Sequence, residues 1–273
     1  VKSQKGKKAR LASMTGSSRV IAIANQKGGV GKTTTSVNLA TALAACGRRV
    51  LLVDFDPQGN ASTGLGIEPV ERTANSYRLV TGEVDVSDAI KSSSVPNLDV
   101  IAAVVDLSAA EVELTTVDRR EFRLADALVG ITAEYDYILI DCPPSLGLLT
   151  VNALCAANTV LVPLQCEFFA LEGLSQLMRT IESVRAALNQ DLVIQGIVLT
   201  MYDNRNKLSE QVARDVRAHL GGIVYHTVIP RNVRVSEAPS FGKPVLMYDL
   251  NCAGSQAYVA LAAEVLNREK EAA

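Results

Sequence analysis

The segment from residue 26 to residue 34 combines three glycines with two lysines and two threonines. It reads Gln26-Lys27-Gly28-Gly29-Val30-Gly31-Lys32-Thr33-Thr34 and follows a run rich in Val, Ile and Ala. The glycines let successive backbone N–H groups point at one anion, and a helix starting at residue 32 would add its positive end. We therefore predict a phosphate-binding loop in which Lys32 reaches the β- and γ-phosphates and the Thr33 hydroxyl binds Mg²⁺.

This loop departs from the general pattern GxxxxGK[ST], because Gln26 occupies the position of the first glycine. The departure comes with a second lysine, Lys27, inside the loop. A plain glycine turn with surface lysines is the alternative interpretation. The predicted strand before the loop and the predicted helix after it favour phosphate binding.

A second group of polar residues follows the next apolar run, where Asp54 and Asp56 are two positions apart. Residues at i and i+2 of an extended chain point to the same face, so both carboxylates should face whatever lies over the strand ends. One could order a Mg²⁺-bound water while the other polarises an attacking water. Pro57 and Gly59 predict a turn, and the segment is a candidate switch loop. Either aspartate alone could instead cap a turn or the next helix.

A third acid, Asp141, ends the apolar run Tyr137-Ile138-Leu139-Ile140. An acid at the end of a buried strand is typical of the second acid of a nucleotide site, which holds Mg²⁺ through water. On its own this signal is weak, because many buried strands end in Asp, but the glycine loop upstream strengthens it. Cys142 is expected to be a buried thiol.

Val- and Ile-rich runs alternate along the chain with segments of helical period. Candidate strands are Val20–Asn25, Arg49–Phe55, Leu98–Ala103, Tyr137–Asp141, Thr159–Gln165, Leu192–Met201, Val224–Ile229 and Pro244–Tyr248. Candidate helices are 32–46, 121–130, 146–156, 168–188, 207–219 and 255–269. The alternation predicts an α/β fold with a mostly parallel, twisted sheet flanked by helices on both faces. We expect one domain over residues 19–273, with ligands at the carboxyl ends of the strands.

Composition excludes several function classes. The chain has 273 residues, of which 48% are apolar and 21% charged, and no apolar run approaches the length of a spanning helix. Its five cysteines form no CxxC pair and it has two histidines, which argues against a disulfide scaffold, a zinc ribbon and an iron–sulfur carrier. These features favour reduced thiols and a cytoplasmic location.

The net charge of −2 hides an asymmetry, because residues 1–19 carry six basic residues and no acid. The remainder holds 21 basic against 29 acidic residues, so it would need a local basic patch to bind nucleic acid. Residues 1–18 are rich in Lys, Ser and Gly, which predicts a disordered basic tail. That tail could attract polyanions weakly or only aid solubility.

Five separated motifs, in order along the chain, resemble the ParA/Soj chromosome- and plasmid-partitioning ATPases. This family belongs to the deviant-Walker class of P-loop NTPases, which also holds MinD and the nitrogenase iron protein. The motifs are KGGVGKTT, DFDPQGN, DCPPSLG, QCEFFALEGL from residue 165 and VIPRNVR from residue 228. The match runs from about Arg19 to the C-terminus. It implies an ATP hydrolase that uses ATP and Mg²⁺.

The resemblance implies roles for individual residues. Lys27 matches the signature lysine that crosses the interface of an ATP-sandwich homodimer to reach the partner's phosphates. Asp56 matches the residue that positions the hydrolytic water, with Lys27 and Lys32 as its catalytic partners. The residues that match nucleotide contacts are Lys27, Gly28, Gly29, Val30, Gly31, Lys32, Thr33, Thr34, Pro230 and Asn232, the last two on the adenine side. Those that match the metal shell are Thr33, Asp54 and Asp141. Glu167 could contact the facing subunit.

The resemblance also implies partners. In this family an ATP-bound dimer binds double-stranded DNA without sequence preference, and Arg205 and Arg234 match the arginines that do so. Lys207, Arg214 and Arg217 could extend that patch or form a solvated helix face. A ParB-type centromere-binding protein would stimulate slow hydrolysis and release the dimer from the nucleoid. No membrane contact is expected.

Two alternatives come from other function classes. A MinD-like membrane-surface ATPase would need a C-terminal helix with a large apolar face flanked by Lys and Arg. The Ala-rich segment from Ala260 to Glu271 has mixed charge and fits packing against the body better. A nitrogenase-like electron donor would need cysteines at cluster spacing, which the sequence lacks.

Overall fold

An eight-stranded sheet forms the centre of the computed structural model, which describes residues 18–167 and 170–272. The strands are β1 (Arg19–Ile23), β2 (Val50–Asp54), β3 (Ile90–Ser92), β4 (Leu98–Ile101), β5 (Tyr137–Asp141), β6 (Thr159–Gln165), β7 (Val193–Tyr202) and β8 (Val224–Pro230). Their order is β3-β4-β2-β5-β1-β6-β7-β8, and every neighbouring pair is parallel except β3 with β4. The predicted mostly parallel sheet is confirmed.

Helices connect the strands and cover both faces. They are α1 (Lys32–Ala45), α2 (Asn60–Gly64), α3 (Ser76–Thr81), α4 (Val86–Ala89), α5 (Ala110–Glu113), α6 (Arg123–Leu128), α7 (Leu148–Ala156), α8 (Ala170–Ala187), α9 (Lys207–Leu220), α10 (Val233–Glu237), α11 (Val245–Tyr248) and α12 (Ala253–Ala272). Short 3₁₀ turns lie at Pro69–Glu71, Val105–Ser108, Leu114–Thr116, Arg120–Phe122, Val129–Ile131, Gly221–Ile223 and Ala238–Phe241. None of the helices within the described residues has the length and apolar character needed to cross a membrane.

Strand β1 shows why these sequences form a doubly covered sheet. Val20 and Ala22 point into one hydrophobic core, while Ile21 and Ile23 point into the other. Successive side chains of a strand point to opposite faces, so a strand covered on both sides must be apolar at every position. Helices α1 and α12 contribute to the second core, and α7, α8 and α9 to the first.

The order of the strands places β1 between β5 and β6, and the chain crosses from β1 over β5 to reach β2. Loops from β1 and β6 therefore leave in opposite directions, and a crevice opens at the carboxyl end of β1. Asn25 follows that strand, and the parallel register aligns Asp54 of β2 with Asp141 of β5. The fold thus brings the three predicted polar groups to one edge of the sheet.

One predicted strand is wrong, because Pro244–Tyr248 forms a helical turn, α11. Pro244 lies at the N-cap, its carbonyl oxygen accepts bonds from the N–H groups of Met247 and Tyr248, and Asn38 accepts the N–H of Val245. A short apolar run does not distinguish a strand from a buried helical turn by its periodicity. Here Val245 and Leu246 are buried in the second core without any partner strand.

Other boundaries shift by a few residues. The predicted helix 121–130 is confined to Arg123–Leu128 between two 3₁₀ turns, and the antiparallel edge strand Ile90–Ser92 was not expected. The predicted tail lies outside the described residues up to residue 17, as do residues 168 and 169 of the predicted helix 168–188. Ser18 is buried and its hydroxyl donates to the carbonyl of Tyr135 at 2.5 Å. The division into tail and domain stays a prediction.

Candidate functional site

The glycine loop is held at both ends by hydrogen bonds of two side chains, Asn25 just after β1 and Thr200 on β7. Asn25 donates to the carbonyl of Pro163 (2.8 Å) and accepts the N–H of Lys27 (3.0 Å). Further along, the Thr200 hydroxyl donates to the carbonyl of Val30 at 2.8 Å, and Val30 is buried. Gly29 and Gly31 have φ angles of +73° and +87°, which favour glycine. The loop is therefore a fixed cradle before α1.

Lys32 lies inside this cradle and is only 6% exposed. Its Nζ donates to the carbonyl of Lys27 at 3.2 Å. Burial lowers the pKa of Lys32, while nearby Asp141, Cys142 and Asp56 act in the opposite direction. The structure thus joins the predicted loop lysine to two of the predicted acids.

Asp141 is completely buried beside the start of α1. One carboxylate oxygen accepts the Ser36 hydroxyl at 2.7 Å, and the other is buried without a hydrogen-bond partner among the described residues. Burial and then the charge of Asp54 raise the pKa of Asp141, whereas the Ser36 hydrogen bond and the neighbouring Thr33 hydroxyl lower it. An unpartnered buried oxygen next to Thr33 is suited to a cationic ligand or its water.

Asp54 is also completely buried, but both of its carboxylate oxygens have hydrogen-bond partners. It accepts the N–H of Ser62 (2.7 Å), the hydroxyl of Ser62 (2.6 Å) and the N–H of Asp56 (3.3 Å). Burial raises the pKa of Asp54, and these hydrogen bonds oppose the shift. Asp54 therefore ties down the loop after β2, and its predicted part in the metal shell stays a prediction.

Asp56 stands in that loop and is 6% exposed. Its carboxylate accepts the N–H of Gln58 at 3.0 Å, and its carbonyl accepts the N–H of Gly59 at 2.9 Å. Gly59 has a φ of +62°, in agreement with the predicted turn. Since Asp56 acts electrostatically on Lys32, the predicted water-positioning residue and the loop lysine belong to one cluster.

The side chain of Lys27 pairs with Glu167, at 2.6 Å, and not with an acid of this cluster. Both side chains are exposed, at 40% and 47%. The preceding Gln26 donates to the carbonyl of Gly173 (3.2 Å) and to the side chain of Gln176 (3.0 Å) on α8. The ammonium group of Lys27 is thus held by Glu167 in the segment after β6, while Gln26 is held by α8.

The predicted adenine-side residues lie at the end of β8 and just after it. Pro230 lines a cleft of about 550 Å³ together with Tyr202, Asp203, Asn204, Arg205, Val228, Arg231, Ala253 and Ala257. Asn232 caps α10, because its side-chain oxygen accepts the N–H groups of Arg234 (2.9 Å) and Val235 (3.4 Å). Pro230 therefore borders an open cleft, while Asn232 shapes the turn beside it.

The two predicted DNA-contacting arginines follow adjacent strands, and each has a carboxylate partner. Arg205 pairs with Asp203 through two bonds, of 3.0 and 2.9 Å. Arg234 pairs with Glu237 at 2.9 Å and with Asp249 at 3.6 Å. The Arg205 guanidinium lowers the pKa of Asp203 to about 2. Both arginines are exposed, by 85% and 53%.

Sequence reasoning missed Ser36, Ser62 and the buried Arg72, which donates to backbone carbonyls around the loop of Asp56. Ser36 lies three positions after Thr33, so helical spacing could have placed it on the same face. Ser62 and Arg72 carry no such signal. Among the described residues, no group of three or more His, Cys, Asp or Glu side chains could hold a metal ion.

Comparisons with known proteins add the family context. A family model described as an AAA domain matches residues 18–194. The chromosome partitioning protein ParA of Caulobacter vibrioides is 68% identical over 255 residues, covering 93% of this chain and 96% of that protein. The sporulation initiation inhibitor protein Soj of Bacillus subtilis is 56% identical over 247 residues, covering 90% and 98%.

Solved structures share the fold. Cobyrinic acid a,c-diamide synthase from Mycobacterium smegmatis, crystallised with an ATP analog and magnesium, is 38% identical with a TM-score of 0.82, covering 94% of this chain and 97% of that one. The cell division ATPase MinD of Pyrococcus furiosus is 29% identical with a TM-score of 0.77, covering 92% and 99%. The predicted P-loop NTPase architecture agrees with these neighbours.

Proposed function

The chain belongs to the ParA/Soj family of chromosome-partitioning ATPases, and we propose that it hydrolyses ATP with Mg²⁺ to segregate chromosomal or plasmid DNA. The fold alone does not decide this, because proteins named as a synthase and as a cell division ATPase share it. The 68% identity to a partitioning protein favours segregation. The observation that carries the mechanism is the contrast between buried Lys32 and exposed Lys27 on one loop.

The cradle of residues 26–34 is proposed to hold the phosphates, with Gly28, Gly29, Val30 and Gly31 offering backbone N–H groups. Lys32 neutralises the β- and γ-phosphates, and Thr34 contacts the phosphates from the first turn of α1. The base is proposed to lie toward Pro230 and Asn232, beside the cleft of about 550 Å³. A cleft bordered by apolar and polar groups suits a base and a ribose.

Mg²⁺ fits the residues present, because Thr33 offers a hydroxyl and Asp141 has a buried oxygen without a partner. Hard cations take oxygen ligands, and with no ready cluster of acids among the described residues the ion would share the phosphates. When bound, Mg²⁺ would neutralise charge on the β- and γ-phosphates. Asp54 would support this shell indirectly, through the loop that it ties down.

Asp56 is proposed to orient the water that attacks the γ-phosphate. The turn at Gly59 fixes its backbone, and its carboxylate keeps one oxygen bonded to Gln58. Phosphoryl transfer depends mainly on such positioning and on charge stabilisation.

Lys27 is proposed to complete the site of a second protomer in an ATP-bound homodimer. Its exposed ammonium group could reach out once the pair with Glu167 opens. An exposed ion pair of this kind contributes at most about 1 kcal/mol, so a partner's phosphates can compete for the lysine. Hydrolysis that requires a lysine from another subunit would stay slow until the dimer forms.

The dimer is proposed to bind double-stranded DNA without sequence preference through Arg205 and Arg234. Both guanidinium groups are exposed, and phosphates could replace their carboxylate partners. A ParB-type partner would then stimulate hydrolysis and release the dimer. These steps would place the protein in the cytoplasm, associated with the nucleoid.

The MinD-like alternative receives less support. It needs an exposed apolar face on the last helix, yet Tyr258, Leu261, Ala262 and Val265 of α12 are buried in the second core. We therefore do not propose membrane binding through this helix.

The test is a hydrolysis assay with purified protein alone, with duplex DNA, and with DNA plus a ParB-type partner. We expect a low rate alone and the highest rate with both additions. Lys32→Ala should abolish nucleotide binding, and Lys27→Ala should keep nucleotide binding but lose dimer formation and hydrolysis. A parent rate unchanged by DNA and partner, or a fully active Lys27→Ala variant, would contradict the proposal.

A further inference from the structure

Arg72 is a buried arginine with neutral hydrogen-bond partners. It is 7% exposed, and among the described residues no carboxylate pairs with it. Its Nη1 donates to the carbonyls of Gly59 (3.3 Å) and Ala103 (3.1 Å). Its Nη2 donates to the Thr63 hydroxyl (2.8 Å) and to the carbonyl of Ile67 (2.8 Å), and its Nε donates to the same Ile67 carbonyl (3.2 Å). Four acceptors in three segments of chain therefore converge on one guanidinium group.

Burial of a cation without an opposite charge is unfavourable, so the hydrogen bonds must satisfy its donors. The planar fork of arginine does this for acceptors on two sides, whereas the ammonium group of lysine is a single point of charge. The geometry at Arg72 thus depends on the guanidinium shape.

The bond to Gly59 leads directly to the loop of Asp56. The Gly59 carbonyl accepts the N–H of Thr63 (3.1 Å), the Thr63 hydroxyl (3.0 Å) and Arg72 Nη1 (3.3 Å), while the Gly59 N–H donates to the carbonyl of Asp56 (2.9 Å). Gly59 has a φ of +62°, and a Cβ there would overlap the Arg72 guanidinium. Arg72 therefore packs against the turn that carries Asp56.

The bond to Ala103 connects this turn to the segment just after β4. The Ala103 N–H donates to the Ser62 hydroxyl at 3.0 Å, and Ser62 also binds Asp54. Arg72 and Ser62 thus both hold the loop of Asp56 against Ala103, Arg72 through the Ala103 carbonyl and Ser62 through the Ala103 N–H. None of the hydrogen-bond partners of the Arg72 side chain belongs to the phosphate cradle of residues 26–34.

We infer that Arg72 is a positioning residue for ATP hydrolysis, which fixes the turn of residues 56–59 and the start of α2 so that Asp56 faces the γ-phosphate. The inference rests on the proposed function. The hydrogen-bond partners of the Arg72 side chain include neither the nucleotide cradle nor Asp56, so it acts through the Gly59 carbonyl. Its loss should therefore lower kcat and leave nucleotide affinity nearly unchanged.

The central test is Arg72→Lys, which keeps the charge and loses the fork. We expect kcat to fall about 10- to 100-fold, because a misplaced catalytic loop costs that much even from a distance. The dissociation constant of a fluorescent ATP analogue should stay within about twofold, since only an interaction specific to the reaction is lost. The matched control is Arg123→Lys, because Arg123 also donates to a backbone carbonyl, that of Val80 (2.8 Å), far from this loop. The control should keep the parent kcat.

Two further variants separate positioning from general destabilisation. Arg72→Ala should regain part of its kcat when millimolar guanidinium is added, and methylammonium should not replace it. Thr63→Val removes one acceptor of Arg72 and one donor to Gly59, so it should lower kcat in the same direction by a smaller factor.

A parent that does not hydrolyse ATP would contradict the proposed function and this inference together. If the parent hydrolyses ATP and the Arg72→Lys variant is equally fast, only the inference about Arg72 is overturned. An equal loss of kcat in Arg123→Lys, or a parallel loss of nucleotide affinity in Arg72→Lys, would also overturn it, since both indicate a general loss of structure.

Discussion

Replacing Arg205 by alanine should weaken DNA binding and also make it less sensitive to salt. The Arg205 side chain is 85% exposed in the loop after β7, and its hydrogen-bond partner is Asp203 in the same loop. Removing it leaves no buried charge behind, so the fold should not suffer. The change therefore reports on phosphate neutralisation.

The magnitude follows from the number of phosphates neutralised. Two arginines in each protomer give a dimer four contacts, and at about 0.9 per contact the slope of log affinity against log salt is about −3.6. Raising salt from 50 to 200 mM should then weaken the parent by about 150-fold. Arg205→Ala halves the contacts, so its slope should be about −1.8 and its loss over the same range about 12-fold.

The assay is fluorescence anisotropy of a labelled duplex of arbitrary sequence, with a slowly hydrolysed ATP analogue to maintain the dimer. Arg78→Ala is the matched control, because Arg78 is also exposed and paired with a carboxylate, Glu83 at 3.1 Å, but lies on α3. The control should keep the parent slope. An Arg205→Ala slope equal to that of the parent would refute the assignment of Arg205 to the DNA surface.

Three other changes test the site and the fold. Asp56→Ala should abolish hydrolysis and keep ATP-dependent dimerisation, as measured by phosphate release and sedimentation velocity; hydrolysis at the parent rate would contradict its role. Gly59→Ala should lower the free energy of unfolding by about 1–3 kcal/mol, because a side chain at a φ of +62° is strained and would lie 3.1 Å from the Ala103 carbonyl oxygen. Urea titration measures this free energy, and an unchanged value would contradict the steric argument. Burial raises the pKa of Glu264, but bonds from Thr227, His226 and Arg268 outweigh burial and lower it. Its stabilisation is therefore present above the unfolded pKa of about 4.3 and lost as pH falls through the lower folded pKa. Glu264→Gln should lower the free energy of unfolding by about 1–2 kcal/mol at pH 7 and by less in acid. An equal loss of stability at both pH values would contradict a lowered pKa of Glu264.

The sheet was predictable because its strands are buried on both faces. Runs such as Tyr137–Asp141 are apolar at nearly every position and alternate with segments of helical period, which is typical of parallel strands covered on both faces. The short helices between β2 and β4 were not predictable, since each buries only one to three side chains and takes its stability from packing. Val245–Tyr248 shows the same limit, because its two buried residues fit a strand or a helical turn equally well.

The candidate site was predictable where spacing along the chain carries the chemistry. The cradle of residues 26–34 and the acids at strand ends follow from local pattern and from parallel register. Ser62 and Arg72 could not be found in this way, because their role arises from contacts with Asp54, Gly59 and Ala103 that only the folded chain creates. Local motifs thus predict the residues that contact a ligand better than the residues that position them.

The proposed nucleotide and DNA contacts share the loops after β7 and β8, and this gives a physical route for ATP to control DNA binding. A ligand shifts an equilibrium only if it interacts differently with the two states. Arg205 lines the cleft beside Pro230 and forms an ion pair with Asp203, so a nucleotide base bound in that cleft would contact this ion pair directly. An arrangement in which Asp203 releases Arg205 exposes a free cation to phosphates, whereas the closed arrangement neutralises it. Because the pair is exposed, its opening costs at most about 1 kcal/mol, and a nucleotide contact of ordinary strength suffices to bias it.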